Sequence, residues 1–287
     1  MRKIKIAALM LICMFGLVAC TASEQEITEE NSVVEQESVV DSEDNISEDV
    51  AVDIDENNEM VESSEMLLQD EDVQSITIDL SDVKETYAEG DAVTPLNLKI
   101  VSEEDNGITW AEDWYYEKDL SLPMIEDECN HFYDDMYEYM WINESLEIYE
   151  KESGKHIYSL TYKTDPYFYD WNNAYLKDGI LYGASVINGY ASPDTCFMFA
   201  YDLDNEELLW RSASQSYNTL NFIVKEDIII CGYGFTAEKD YLYQINMNTG
   251  EIIDKLELKK KPDLLVEQGG KIYVHTYSYD YVIEIDS

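Results

Sequence analysis

The second half of this chain repeats itself, and that constrains its fold more than any other feature. Four segments each open on a turn pair and run into β-branched or aromatic residues: DDMYEYMW (Asp134–Trp141), DGILYGAS (Asp178–Ser185), EDIIICGYG (Glu226–Gly234) and GGKIYVHTY (Gly269–Tyr277). Each reads as a short strand entered from a tight turn. With Asp135, Gly179, Asp227 and Gly270 in register, the spacings are 44, 48 and 43 residues. Three copies continue into a hairpin around a polar turn: LEIYEKESGKHIYSL (Leu146–Leu160), FMFAYDLDNEELLWRS (Phe197–Ser212) and YLYQINMNTGEIIDKL (Tyr241–Leu256). The fourth, YVIEIDS (Tyr281–Ser287), stops where its hairpin would turn. A period in the forties with several short strands per unit predicts a propeller or a related all-β array, since one such unit cannot bury its faces alone.

The turns also carry a family resemblance. The run of hydrophobic strand, Asp-x-x-x-Gly-Glu turn, hydrophobic strand and Trp appears here as YDLDNEELLW (Tyr201–Trp210) and INMNTGEIID (Ile245–Asp254). It resembles the repeat of quinoprotein-like β-propellers over roughly residues 130–287. The resemblance implies a ring of four-stranded blades. Large members have seven or eight blades, whereas this chain supplies three and a fraction. The expected fold is therefore a small or incomplete β-propeller of about four to five blades, with an open stack as the alternative. Residues 76–129 are expected to add a β segment, either an extra blade or a closing strand. ITIDL (Ile76–Leu80) is placed to supply the last copy's missing outer strand, with LNLKIV (Leu96–Val101) and ITWAEDWYY (Ile108–Tyr116) as two further strands. Quinone-dependent members need a calcium site and an aromatic floor, and some have a vicinal cysteine pair. No two cysteines here are adjacent, and the missing blades would have carried part of such a site, so no cofactor is expected.

The amino terminus gives an address. Arg2, Lys3 and Lys5 precede a charge-free apolar run, Ile6–Val18. As a helix that run rises about 20 Å, short of a ~30 Å hydrocarbon core, and the pattern is that of a secretory signal. Leu17-Val18-Ala19-Cys20 resembles the lipobox of bacterial lipoproteins. That resemblance implies removal of residues 1–19, diacylglycerol on the Cys20 sulfur and a protein held on the outer side of a membrane by two or three acyl chains. From Thr21 to Ser75 there are 20 Asp or Glu and no Lys, Arg, Gly or Pro. Such one-signed, aromatic-poor composition predicts a disordered acidic tether over residues 20–75.

Composition and spacing exclude several chemistries. A net charge of −44 repels phosphate backbones, so nucleic acid is not a partner. Basic proteins, cations and neutral glycans remain. Cys129, Cys196 and Cys231 are an odd number at no metal-ligand spacing, and their redox state is left open. His131, His156 and His275 are isolated, with no zinc-site spacing, and His156 falls at a strand position of the repeat. No nucleophile elbow, SxxK or P-loop occurs. DLDNEE (Asp202–Glu207) looks like a cation site until aligned with NMNTGE (Asn246–Glu251); the shared role is a β-turn. No catalytic or metal residues are assigned. The candidate binding residues are the irregular aromatic cluster Trp110, Trp114, Tyr115 and Tyr116, since such side chains offer flat apolar contact with a polar handle. A second cluster, Phe132, Tyr133, Tyr137, Tyr139 and Trp141, alternates as strand packing does. The sequence thus reads as a membrane-anchored module that binds an envelope protein or a glycan. The alternatives are a surface glycan-active enzyme, whose chemistry needs only a carboxylate pair, and a ligand-sensor subunit.

Overall fold

The computed structural model describes residues 73–107, 114, 118–121, 131–163, 168–169, 173–187, 194–235 and 238–286. The signal segment, Cys20, the tether up to residue 72, Cys129 and ITWAEDWYY apart from Trp114 lie outside the described residues.

The described chain is a small β-propeller of four blades. Blade 1 is β3 (His131–Tyr133), β4 (Tyr137–Ile142), β5 (Ser145–Glu150) and β6 (His156–Lys163). In blade 2, β9 (Ile180–Ile187) pairs on its inner side with β8 (Tyr175–Lys177) and β7 (Phe168–Tyr169), and is followed by β10 (Phe197–Asp202) and β11 (Glu207–Arg211). Blade 3 is β12 (Ile223–Lys225), β13 (Ile228–Tyr233), β14 (Asp240–Asn246) and β15 (Ile252–Leu258). Blade 4 has β16 (Pro262–Gln268), β17 (Lys271–Thr276) and β18 (Tyr279–Asp286). The four residues aligned in sequence all fall at the turn between a blade's first and second strands. Two of these turns take φ > 0 at both central positions, Asp178 and Gly179 (53° and 79°) and Gly269 and Gly270 (61° and 75°). That is the geometry that two-residue hairpins favour.

The same end of each blade carries a second tie. A backbone N–H after the third strand donates to a carbonyl of the first turn: Lys151 to Met136 (2.9 Å), Leu203 to Gly179 (3.0 Å) and Met247 to Asp227 (2.9 Å). Period-two alternation then sends side chains to both faces of each sheet, and neighbouring blades share the result. Leu146, Ile148, Leu181 and Phe199 fill the space between blades 1 and 2. Ile229, Ile245 and Trp210 lie between blades 2 and 3, and Ile228, Leu242, Leu265 and Val274 between blades 3 and 4. Each fully buried aliphatic side chain contributes about 1.5–3 kcal/mol.

Closure differs from the expectation. ITIDL does not complete the last copy. As β1 (Gln74–Asp79) it lies parallel to β6 and forms a fifth, outermost strand of blade 1. The missing strand is β2 (Asn97–Asp105), which contains all of LNLKIV but Leu96 and pairs antiparallel with β18, Ser102 opposite Val282. Hydrophobic pattern explains the choice: Leu98 and Ile100 extend the cluster between blades 3 and 4, whereas Ile76 and Ile78 are buried in that between blades 1 and 2. Between β1 and β2 the chain forms a belt around the perimeter. Thr86 exchanges backbone hydrogen bonds with Arg211 of β11 (3.0 and 2.9 Å), and Ala88 N–H donates to the Thr249 carbonyl (3.1 Å). The buried Gln244 side chain accepts from Leu96 N–H (2.8 Å) and donates to the Leu96 carbonyl (2.9 Å). Val83, Ala88 and Val93 pack on the three interblade clusters in turn.

Among the described residues, no such cluster joins blade 4 directly to blade 1. Leu264 and Val266, on the face of β16 opposite Leu265, are covered by Trp114 and Leu120.

Candidate functional site

The innermost strands surround the ring axis, and a cavity of about 690 Å³ lies there with a lining drawn from all four blades. Blade 1 contributes its β3–β4 turn, Tyr133 to Met136; blade 2 contributes Asn173 to Leu176; blade 3 contributes Asn221 to Val224; blade 4 contributes Leu265 and Glu267, with Ser121 beside them. Blades 2, 3 and 4 thus contribute corresponding stretches at their first strands and blade 1 the turn that follows its own, and together they form a concave site with polar and apolar lining, of the kind that binds ligands.

Its walls are held from behind. Asp134 accepts the N–H groups of Met136 and Tyr137 (both 2.7 Å) and the Tyr139 hydroxyl. The Tyr139 hydroxyl in turn accepts Leu176 N–H from blade 2 (2.8 Å). Burial, reinforced by Asp134, pushes the Tyr139 phenol far up, so it stays a donor to the carboxylate. Asn221 both donates to and accepts from the Leu265 backbone (2.8 and 2.9 Å), locking blade 3 to blade 4. Asn173 donates to the Phe222 carbonyl (3.3 Å), linking blades 2 and 3.

The rim is different. Asp135 makes no hydrogen bond or ion pair with a described residue, and Met136 is 66% exposed. Three lysines nearby are already engaged: Lys225 with Glu267 (2.5 Å), Lys177 with Asp227 (3.4 Å), and Lys151 with the Asp134 carbonyl (2.9 Å) and the Tyr133 ring (4.6 Å). Burial raises the Tyr175 phenol; Lys177 opposes this, while Asp134, Asp135 and Asp178 push the same way. The cavity thus mixes apolar side chains with fixed polar groups in its walls and is anionic at its lip.

The residues singled out in the sequence lie elsewhere. Trp114 is 2% exposed, stacks on His275 at 5.1 Å between ring centroids and is taken up by the packing on blade 4. Trp110, Tyr115 and Tyr116 lie outside the described residues. In the second aromatic cluster Phe132, Tyr139 and Trp141 are buried in the interblade core, as strand alternation predicts. Asp202 accepts the N–H groups of Asp204 and Asn205 (3.0 and 2.9 Å) and the Asn205 side chain (2.8 Å). The last of these does most to hold its carboxyl below the usual carboxylate range, which is turn chemistry. Among the described residues no group of three or more His, Cys, Asp or Glu is placed to hold a metal ion. His156 stands in β6 against Glu147 (2.8 Å), and His275 in β17 against Asp280 (2.9 Å). Cys196 and Cys231 are both buried. Sequence reasoning missed the axial lining, although the turn it aligned at Asp135 was the signal that led there.

The two halves of the turn motif meet across blades. Trp210 at the end of β11 donates its indole N–H to the Met247 carbonyl (3.0 Å), and its ring lies against Gly250, whose φ is +82°.

No protein-family model and no curated protein matches the sequence. Solved structures similar to it include BamB from Moraxella catarrhalis, at 10% identity over 57% of this chain and 61% of that one, with a TM-score of 0.33. A chain of the Mitotic Checkpoint Complex is similar at 13% identity over 67% and 53%, TM-score 0.36. A europium-containing methanol dehydrogenase is similar at 11% identity over 56% and 27%, TM-score 0.32. The chain spans less than two thirds of each of these three.

Proposed function

We propose that this chain is a membrane-anchored binding module of quinoprotein-like type, in which Cys20 carries the lipid, the acidic tether spaces the propeller from the bilayer, and the axial mouth receives a partner protein on the outer side of the membrane. The observation that carries the reading is the axial cavity, to which every blade contributes while its polar walls are fixed by internal hydrogen bonds. Preorganised walls bind without an ordering cost. The docking of Trp210 on Gly250 supports the quinoprotein-like assignment, because it gives both conserved-looking ends of the turn motif one shared contact. The anchor rests on the LVAC junction alone.

A photoreactive residue at position 136, on the cavity lip, tests the site in the lipidated chain in its own membranes. A discrete protein adduct is expected there, and none from a probe at Glu89, which is exposed on the belt. Equal adducts from both positions would refute an axial site. Metabolic labelling with an alkyne fatty acid tests the anchor, with label expected in the wild type and lost in Cys20→Ala.

A further inference from the structure

Building on the axial reading, we infer that the mouth takes a lysine or arginine side chain presented on an apolar-flanked segment of the partner protein. Four observations converge. Asp135 is an exposed carboxylate with no described partner, whereas both oxygens of Asp134 are consumed by the turn and Tyr139. Lys177 and Lys225 are each paired with a carboxylate, and Lys151, held by the Asp134 carbonyl, is one cation against the carboxylates of both Asp134 and Asp135, so the lip retains net negative charge. Antiparallel pairing brings the first-to-second and third-to-fourth turns of each blade to the same end, as the three turn-to-turn hydrogen bonds show. Those turns carry Asp178, Asp202, Asp204, Glu206, Glu226 and Asp227, so this end of the blades presents a field that attracts cations. Met136 at the lip and Tyr175 and Phe222 line the cavity, and a long aliphatic stem lies on such a surface with its charged head at the carboxylate. Tyr175 and Phe222 also offer aromatic surface to a cation. An anionic or uncharged partner would leave Asp135 uncompensated beside an apolar wall.

The test uses the full chain and three synthetic peptides, acetyl-Gly-Lys-Leu-Lys-Gly-amide and its Gln and Glu counterparts, each also made with a photoreactive leucine. The lysine peptide should bind, weaken several-fold between 50 and 200 mM salt as screening grows, and crosslink to residues of the mouth. Asp135→Asn should weaken it about fivefold, the upper range for a surface charge pair, and Met136→Lys should abolish it. Glu89→Gln removes a distant perimeter charge and should change nothing. Equal loss in Glu89→Gln and Asp135→Asn would show only a diffuse field and overturn the inference. If the Gln peptide binds as well as the lysine peptide and both crosslink at the mouth, the axial reading stands and the cationic specificity is wrong. If no peptide crosslinks there, both fall.

Discussion

Gly250 offers the sharpest test of how the blades are joined. Its φ of +82° lies in the left-handed region, and a Cβ there would sit 2.6, 2.7 and 3.0 Å from three ring atoms of Trp210. The indole is buried and its N–H is committed to the Met247 carbonyl, so the ring cannot swing aside. Gly250→Ala therefore meets two penalties, about 1–2 kcal/mol for the left-handed backbone and about 1–3 kcal/mol for overpacking. Gly154 occupies the corresponding turn of blade 1 with a φ of +70° but has nothing within 4 Å of its would-be Cβ. Gly154→Ala incurs the backbone penalty alone. At about 2–4 °C per kcal/mol for a domain of this size, Gly250→Ala should lower Tm by roughly 4–20 °C and Gly154→Ala by about 2–8 °C. Thermal unfolding followed by tryptophan fluorescence measures both. Equal shifts would refute the docking of Trp210 against the neighbouring blade's turn.

Other perturbations follow from the same contacts. Gln244→Leu leaves Leu96 N–H and C=O without their side-chain partner, at about 1–3 kcal/mol, and limited proteolysis should then cut the belt first. Trp114→Ala should cost about 3–5 kcal/mol by loss of a buried aromatic, seen in urea unfolding; a change in binding without loss of stability would show a surface role instead. Asp280 is partly buried, which pushes its carboxyl pKa up, but hydrogen bonds from His275 and Asn106 outweigh this and hold it below the usual carboxylate value. Its folded value is depressed, so its stabilisation is present above pH 3.8 and is lost as pH falls below that; Asp280→Asn should flatten that part of the stability–pH curve. Burial pushes the Cys231 thiol far up, so a disulfide-exchange reagent should modify it only on unfolding.

The repeat made the blades legible because hairpin turns have strict backbone needs: Asp178-Gly179 and Gly269-Gly270 mark strand boundaries by chemistry that few other pairs satisfy. Closure was harder to read. ITIDL and LNLKIV are both short alternating runs, and sequence alone does not say which sheet edge each will find. Ile76 and Ile78 fit one interblade cluster and Leu98 and Ile100 another, a distinction made only by tertiary packing. Trp114 misleads for a related reason. An irregular aromatic cluster outside the repeat looks like a surface platform, yet Trp114 covers Leu264 and Val266 on a blade face. The axial lining carries no motif at all, since it is assembled across blades from residues such as Asp135 in a turn and Asn173 and Phe222 just before strands, each of which looks ordinary in its own segment.

The belt bears on the order in which the ring assembles. Pairing β2 with β18 brings together Ser102 and Val282, and closing so long a loop in one step is entropically costly and slow. The intermediate contacts divide that step. Asp79 meets Lys163 at a separation of 84 residues, Lys84 meets Asp194 at 110, and Leu96 meets Gln244 at 148. Once β1 has settled on blade 1, each further attachment leaves only a short free stretch before the next blade is reached. The amino-terminal segment thus acts as a zipper that advances around the perimeter as successive blades mature. Loosening any early tooth, such as Thr86 on Arg211, should slow the final closure more than it weakens the finished ring.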